Sequence, residues 1–297
     1  MREPDVLFCA PDDAATLSAL ALHGRRLYFT TFEPARVGVI DLDTGRAELL
    51  AEAPAGLSDL AVGDDGTLYL ANAWARTVSR LAPGAAAPEV IVSDPNAVRV
   101  AVSGRRIAWG GSTGPAHAVR VGELPAPAPR TIASRVGSVI ALSADAAGVV
   151  FATNAKPKHP GAVWAAGWGD AAATVLADGM RFCKECLRAA NGWVYFAAEF
   201  PRARAKDDGL WRVREGAAAE RVAAVFDPRG FLVDDDGAGV GASYDGTVFE
   251  CDPGGATRKL ADLGVTTVRA VADRDAIYVG AVRPRPGDRA QIFRVAR

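Results

Sequence analysis

A short run of strand-forming residues recurs seven times along this chain, and the repeat constrains the fold more than any other feature. It reads Arg26-Leu27-Tyr28-Phe29, Thr67-Leu68-Tyr69-Leu70, Arg106-Ile107-Ala108-Trp109 and Val149-Val150-Phe151-Ala152. It continues as Trp193-Val194-Tyr195-Phe196, Gly239-Val240-Gly241-Ala242 and Ala276-Ile277-Tyr278-Val279. Copies stand about 40 residues apart, and a period of that length built from short strands and turns specifies a radial array of small sheets. Each unit carries four strand-like runs, A to D from the centre outward. In the second unit, Gly63-Asp64-Asp65-Gly66 separates A from B. Asp and Gly tolerate the positive φ that such a hairpin needs. Asp234-Asp235-Asp236-Gly237 repeats the signal in the sixth unit, so these acidic runs read as turn formers.

The expected fold class is all-β: one seven-bladed β-propeller over residues 1–297, with four-stranded antiparallel blades. The last unit, about residues 265–297, supplies only three strands, ending on Gln291-Ile292-Phe293-Arg294-Val295. Asp5-Val6-Leu7-Phe8-Cys9 precedes the first unit and belongs to none. The economical expectation is that this strand, about residues 5–10, becomes the outermost strand of the last blade. That closes the ring and removes two exposed sheet edges.

A net charge of −1 provides no global field to recruit nucleic acid or an anionic membrane. No apolar stretch reaches membrane-spanning length, and Met1-Arg2-Glu3-Pro4-Asp5 lacks the build of a signal peptide. The expected location is the cytoplasm if Met1 is the native start, and otherwise the periplasm or exterior after loss of a signal. Four cysteines are too few for a disulfide scaffold; Cys9 and Cys251 read as small buried hydrophobes. Abundant Ala and Arg with little Lys suggest a GC-rich bacterial genome, and a monomer is expected.

The segment Leu60-Ala61-Val62-Gly63-Asp64-Asp65-Gly66-Thr67-Leu68-Tyr69-Leu70-Ala71-Asn72 resembles a repeat of the NHL, virginiamycin-lyase and gluconolactonase-like propellers. That resemblance implies the fold over nearly the whole chain, and little about activity, since such propellers include lactonases, lyases, sensors and scaffolds. It also implies that ligands sit on the face carrying the B–C and D–A connections. Gluconolactonase-like members hold a divalent cation with Glu, Asn and Asp around the central channel. Asn72, Asn154, Glu33 and Glu199 stand at comparable post-strand positions, so an oxygen-ligand site, of the kind that suits Ca, is conceivable. The Glu-Gly-Pro motif of that family is absent. The virginiamycin-lyase type uses a His base beside a metal, a role open to His117 or His159, but the surrounding motif does not match.

Two constellations fall on this face. Cys183-Lys184-Glu185-Cys186, placed in the D–A connection entering the fifth blade, has the spacing of half a tetrahedral Zn site. His159 and His117, in the B–C loops of the fourth and third blades, would complete it. The same pair also reads as a reversible disulfide or as two thiols without a role. The second constellation is basic: Arg202 and Arg204 in the fifth B–C loop, Arg283 and Arg285 in the seventh, with Lys156 and Lys158 in the fourth. Together they would favour an anionic ligand, unless Asp207, Asp208 and Asp288 neutralise them. Trp74 is a stacking platform or a packing residue of a neighbouring blade. The leading functional expectation is a non-catalytic scaffold that recognises a protein or small ligand, anionic ones included, on the B–C/D–A face. A metal-dependent lactonase- or lyase-like enzyme at the channel mouth, and a redox or metal sensor built on Cys183 and Cys186, remain alternatives; no cofactor is required by the sequence.

Overall fold

The computed structural model describes residues 4–10, 16–111, 117–155, 160–234, 236–282 and 289–297. It has seven antiparallel sheets of four strands, each pairing in the order A-B-C-D. The chain is therefore a seven-bladed β-propeller. The innermost strands, one per blade, are Leu17–His23, Leu57–Val62, Arg99–Ser103, Ser138–Ala144, Phe182–Arg188, Pro228–Val233 and Thr266–Ala272. The B strands follow them and are the most buried, as in Leu68–Asn72, which carries Tyr69, and Gly239–Ser243.

Asp5–Cys9 is the outermost strand of blade 7 and pairs antiparallel with Gln291–Ala296, in register Asp5↔Arg294 and Cys9↔Gln291. Ala10 extends the ladder by donating to the Ala290 carbonyl at 2.9 Å. The apolar core has the same closed topology. It consists of seven clusters, each lying between two adjacent blades and none inside a single sheet. An open row of seven sheets has six such interfaces. The seventh joins Leu20, Leu27 and Phe29 of blade 1 to Tyr278 and Ile292 of blade 7, with Leu7 and Phe8 packed against it.

The A–B turns are closed as their composition demands. Asp65 Oδ1 accepts from the Thr67 amide at 2.9 Å, and its Oδ2 from the Thr67 hydroxyl at 3.0 Å. Asp64 and Asp65 thus serve the turn on the face opposite the B–C and D–A loops.

A chain that starts after Cys9 should lose the outer ladder of blade 7 and uncover Phe29 and Ile292. We expect its unfolding free energy to fall by about 3 kcal/mol or more, read as a lower denaturant midpoint. An unchanged midpoint would show that the ring does not depend on this strand.

Candidate functional site

The innermost strands share a four-residue frame that decides what faces the central channel. Its copies are Leu17-Ser18-Ala19-Leu20, Leu57-Ser58-Asp59-Leu60, Val139-Ile140-Ala141-Leu142, Cys183-Lys184-Glu185-Cys186, Pro228-Arg229-Gly230-Phe231 and Thr267-Val268-Arg269-Ala270. In each of these six blades the pairing register with strand B slips after the first residue, so the second residue is an extra one, a β-bulge. An extra residue shifts the two-residue alternation of a strand by one. The first and fourth residues consequently bury on the same side, as Leu17 with Leu20 and Leu57 with Leu60 do. Blade 3 keeps the spacing as Ala97-Val98-Arg99-Val100, with Ala97 and Val100 buried, although its strand pairing is regular.

In blades 2, 3, 4, 5 and 7 the third position lines a central cavity of about 350 Å³. Four blades place a charge there: Asp59, Arg99, Glu185 and Arg269. Arg269 donates to Glu185 Oε2 at 2.8 Å and lies 3.8 Å from Asp59 Oδ1. Arg99 donates to the backbone carbonyls of Ile140 at 2.8 Å and Ser58 at 2.9 Å. Asp59 Oδ2 accepts from the Val100 amide at 3.1 Å. Two guanidinium groups and two carboxylates thus link blades 2, 3, 4, 5 and 7 across the hole. Burial pushes the Glu185 carboxyl up, against the pull of Arg269, and draws the Arg99 guanidinium down. Such a cluster contributes less to stability than to fixing one arrangement, because desolvation offsets much of the attraction.

In blades 5 and 6 the second position is a cation, and there it reaches residues of the B–C/D–A loops. Lys184 pairs with Asp227 Oδ1 at 2.6 Å and with Glu199. Arg229 pairs with Asp227 Oδ2 at 3.0 Å and lies over the Tyr244 ring, 4.5 Å from its centroid. Asp227 is buried and adopts a positive φ of 40°. Its carbonyl accepts from the Tyr244 amide at 2.9 Å, which fixes the D–A and B–C loops of blade 6 to each other. All three exposed aromatics of the described residues lie on this face: Trp74 (57%), Phe226 (64%) and Tyr244 (42%). The exposed large aliphatics Val6, Leu49, Val90 and Val175 lie on outermost strands instead.

The candidate residues distribute as follows. Asn72 is buried as a loop anchor: its Oδ1 accepts from the amides of Trp74 (3.0 Å) and Ala75 (2.8 Å), and its Nδ2 donates to the Pro54 carbonyl at 2.8 Å. Asn154 Oδ1 accepts from the Cys183 amide at 3.2 Å. The oxygens of Asn72, Asn154 and Glu199 thus already serve backbone amides or Lys184, while Glu33 is exposed in the first B–C loop. Trp74 both packs and presents itself. Its ring meets Phe32 of blade 1 edge-on, centroids 4.9 Å apart, yet remains exposed. Gly56 permits this approach: at φ +102°, a Cβ there would lie 2.7 Å from Trp74 Cβ. Arg202 and Arg204 are exposed in the short 3-10 helix Arg202–Asp207, where Arg204 pairs with Asp207 at 3.0 Å and covers the Phe200 ring. Arg283, Arg285, His159, Lys156, Lys158 and Asp288 lie outside the described residues.

Two expectations require correction. Cys183 and Cys186 are inside strand Phe182–Arg188, not in a connection, and fill the two buried frame positions taken by leucine in blades 1 and 2. The bulge at Lys184 turns both sulfurs into the apolar cluster between blades 4 and 5, and both thiols are free. Cys9 is exposed on the outermost strand of blade 7, not buried; Cys251 is buried as expected. His117 is half-buried at the end of the third B–C loop. Among the described residues, no group of three or more His, Cys, Asp or Glu side chains could hold a metal ion.

No family model and no curated protein matches this chain. Solved structures match it in shape. The WD40 β-propeller domain of Doa1 superposes with a TM-score of 0.74 at 9% identity, over 99% of this chain and 97% of that one. Hydrazine synthase of Kuenenia stuttgartiensis gives 0.77 at 13% identity, over 94% and 95%. An oligogalacturonate lyase in complex with manganese gives 0.70 at 14% identity, over 92% and 86%. At such identities the likeness establishes the propeller fold alone.

Burial pushes the thiols of Cys183, Cys186 and Cys251 above their ordinary range, and only the thiolate reacts. Titration of the native protein with a thiol reagent at neutral pH should therefore count Cys9 alone, and all four cysteines after unfolding. Rapid labelling of Cys183 or Cys186 in the native state would contradict their placement.

Proposed function

We propose that this propeller is a binding scaffold that recognises a segment of a partner protein on its B–C/D–A face, over the channel mouth. The observation that carries the reading is the segregation of exposed apolar side chains. The aromatic ones all lie on this face, Phe226 and Tyr244 beside the fixed charges of blade 6 and Trp74 on blade 2, while the other exposed large hydrophobics are dispersed on the rim. Aromatic side chains beside a polar frame are the composition of protein-recognition surfaces. Three of the four oxygen donors that a lactonase-type cation would need, Asn72, Asn154 and Glu199, are already engaged, and Cys183 and Cys186 fill core positions. The scaffold reading is therefore favoured over lyase-like and redox alternatives. WD40 propellers among the similar folds fit this reading, as does the resemblance of the repeat to NHL-type propellers.

Selection of random displayed peptides against the whole chain tests it. The selected peptides should compete with one another for a shared surface. They should lose most of their affinity for a Trp74→Ala/Phe226→Ala/Tyr244→Ala variant, whose thermal midpoint should stay close to that of the parent because the three side chains are exposed. Peptides that bind the variant undiminished would place recognition elsewhere.

A further inference from the structure

Resting on that reading, we infer that the part of the face over blades 5 and 6 is an acceptor-seeking subsite for an acidic segment of a partner protein, one carrying Asp or Glu beside a large apolar side chain.

Both oxygens of Asp227 are taken, Oδ1 by Lys184 and Oδ2 by Arg229. Glu199 is held by Lys184. Asp207 is held by Arg204, and Asp208 Oδ1 accepts from the Phe200 amide at 2.7 Å. The carboxylates of this region are therefore occupied. The donors are not all matched. Arg229 Nε is buried with no hydrogen-bond partner among the described residues. A buried donor without a partner is unfavourable, and the Arg229 side chain is 28% exposed, so an anionic oxygen can approach its guanidinium. The Arg181 guanidinium is exposed and packs over the Phe182 ring, 4.8 Å from its centroid, the ring that Lys184 approaches at 5.7 Å. Arg202 is exposed nearby in the fifth B–C loop. What remains on offer is thus N–H donors and positive charge, in a chain with no positive net charge to explain it.

The apolar half of the subsite adjoins these donors. Phe226 is the residue before Asp227, and Tyr244 is stacked by Arg229 and bonded through its amide to the Asp227 carbonyl. A carboxylate reaching Arg229 would bring its chain within reach of both rings, and Arg181 would add positive charge for a second acidic residue of the same segment. Charge-assisted bonds would supply orientation, and ring contact would supply buried area. The frame explains why the site lies here and not over other blades: the bulged position holds Ser18, Ser58, Ile140 or Val268 in the other bulged blades.

The test uses the whole chain and phage-displayed random peptides. Selected sequences should be enriched in Asp or Glu next to Phe, Trp or Leu. The best synthetic binder, followed by fluorescence anisotropy, should weaken about tenfold or more with Arg229→Gln and several-fold with Arg181→Ser, and should weaken as salt rises. Should Arg229→Gln fail to fold, Arg181→Ser and Phe226→Ser, both at exposed positions, decide the matter alone. Peptides that need Trp74 but carry no acidic residues, or that ignore Arg181→Ser, would overturn the acidic subsite and leave the scaffold reading standing. The absence of any peptide bound on this face would overturn both.

Discussion

One extra residue in the innermost strand of most blades governs what this propeller can present. A regular strand sends alternate side chains to opposite sides, so residues three apart diverge. The bulge adds a step, and the first and fourth residues of the frame bury together while the second and third turn to the loops and the channel. Without it, Lys184 and Arg229 would not meet Asp227 at the mouth, and Cys183 and Cys186 would not share one apolar cluster. The cost of placing charges in a narrow hole is offset by their pairing: Arg269 with Glu185 and Asp59, Arg99 with backbone carbonyls.

Ring closure gives this local device its rigidity. Each apolar cluster is shared by two blades, so no inner strand can shift without disturbing both neighbours. The strand Asp5–Cys9 is what makes the interface between blades 7 and 1 equivalent to the other six. Loops anchored on such a frame hold their side chains in place before any partner arrives, which reduces the ordering cost of binding.

The architecture was legible in the sequence because its determinants are local or periodic. Aromatic B strands, Asp-Gly turns and an unassigned strand at the start of the chain led to the correct fold. The site was legible only in part. Asn72, Asn154, Glu199, Trp74, Arg202 and Arg204 do lie on the loop-bearing face, but which of them are anchors depends on partners distant in sequence, such as Pro54 for Asn72. Cys183 and Cys186 misled because their spacing equals metal-ligand spacing. Aligning the repeats would have revealed the same interval in Leu17/Leu20, Leu57/Leu60 and Val139/Leu142, marking both as core. The same alignment would have singled out Lys184 and Arg229 as cations at a bulged position. Phe226 gave no local signal, since Val225-Phe226 reads as a buried pair until the D–A loop is placed.

The bulge carries Lys184 across the blade boundary to a carboxylate of blade 6. A double-mutant cycle on stability with Lys184→Met and Asp227→Asn measures that contact directly. The two substitutions should couple by about 1 kcal/mol or more. Additivity to within ~0.3 kcal/mol would mean that Lys184 does not reach Asp227, and the arrangement described for the channel mouth would be wrong.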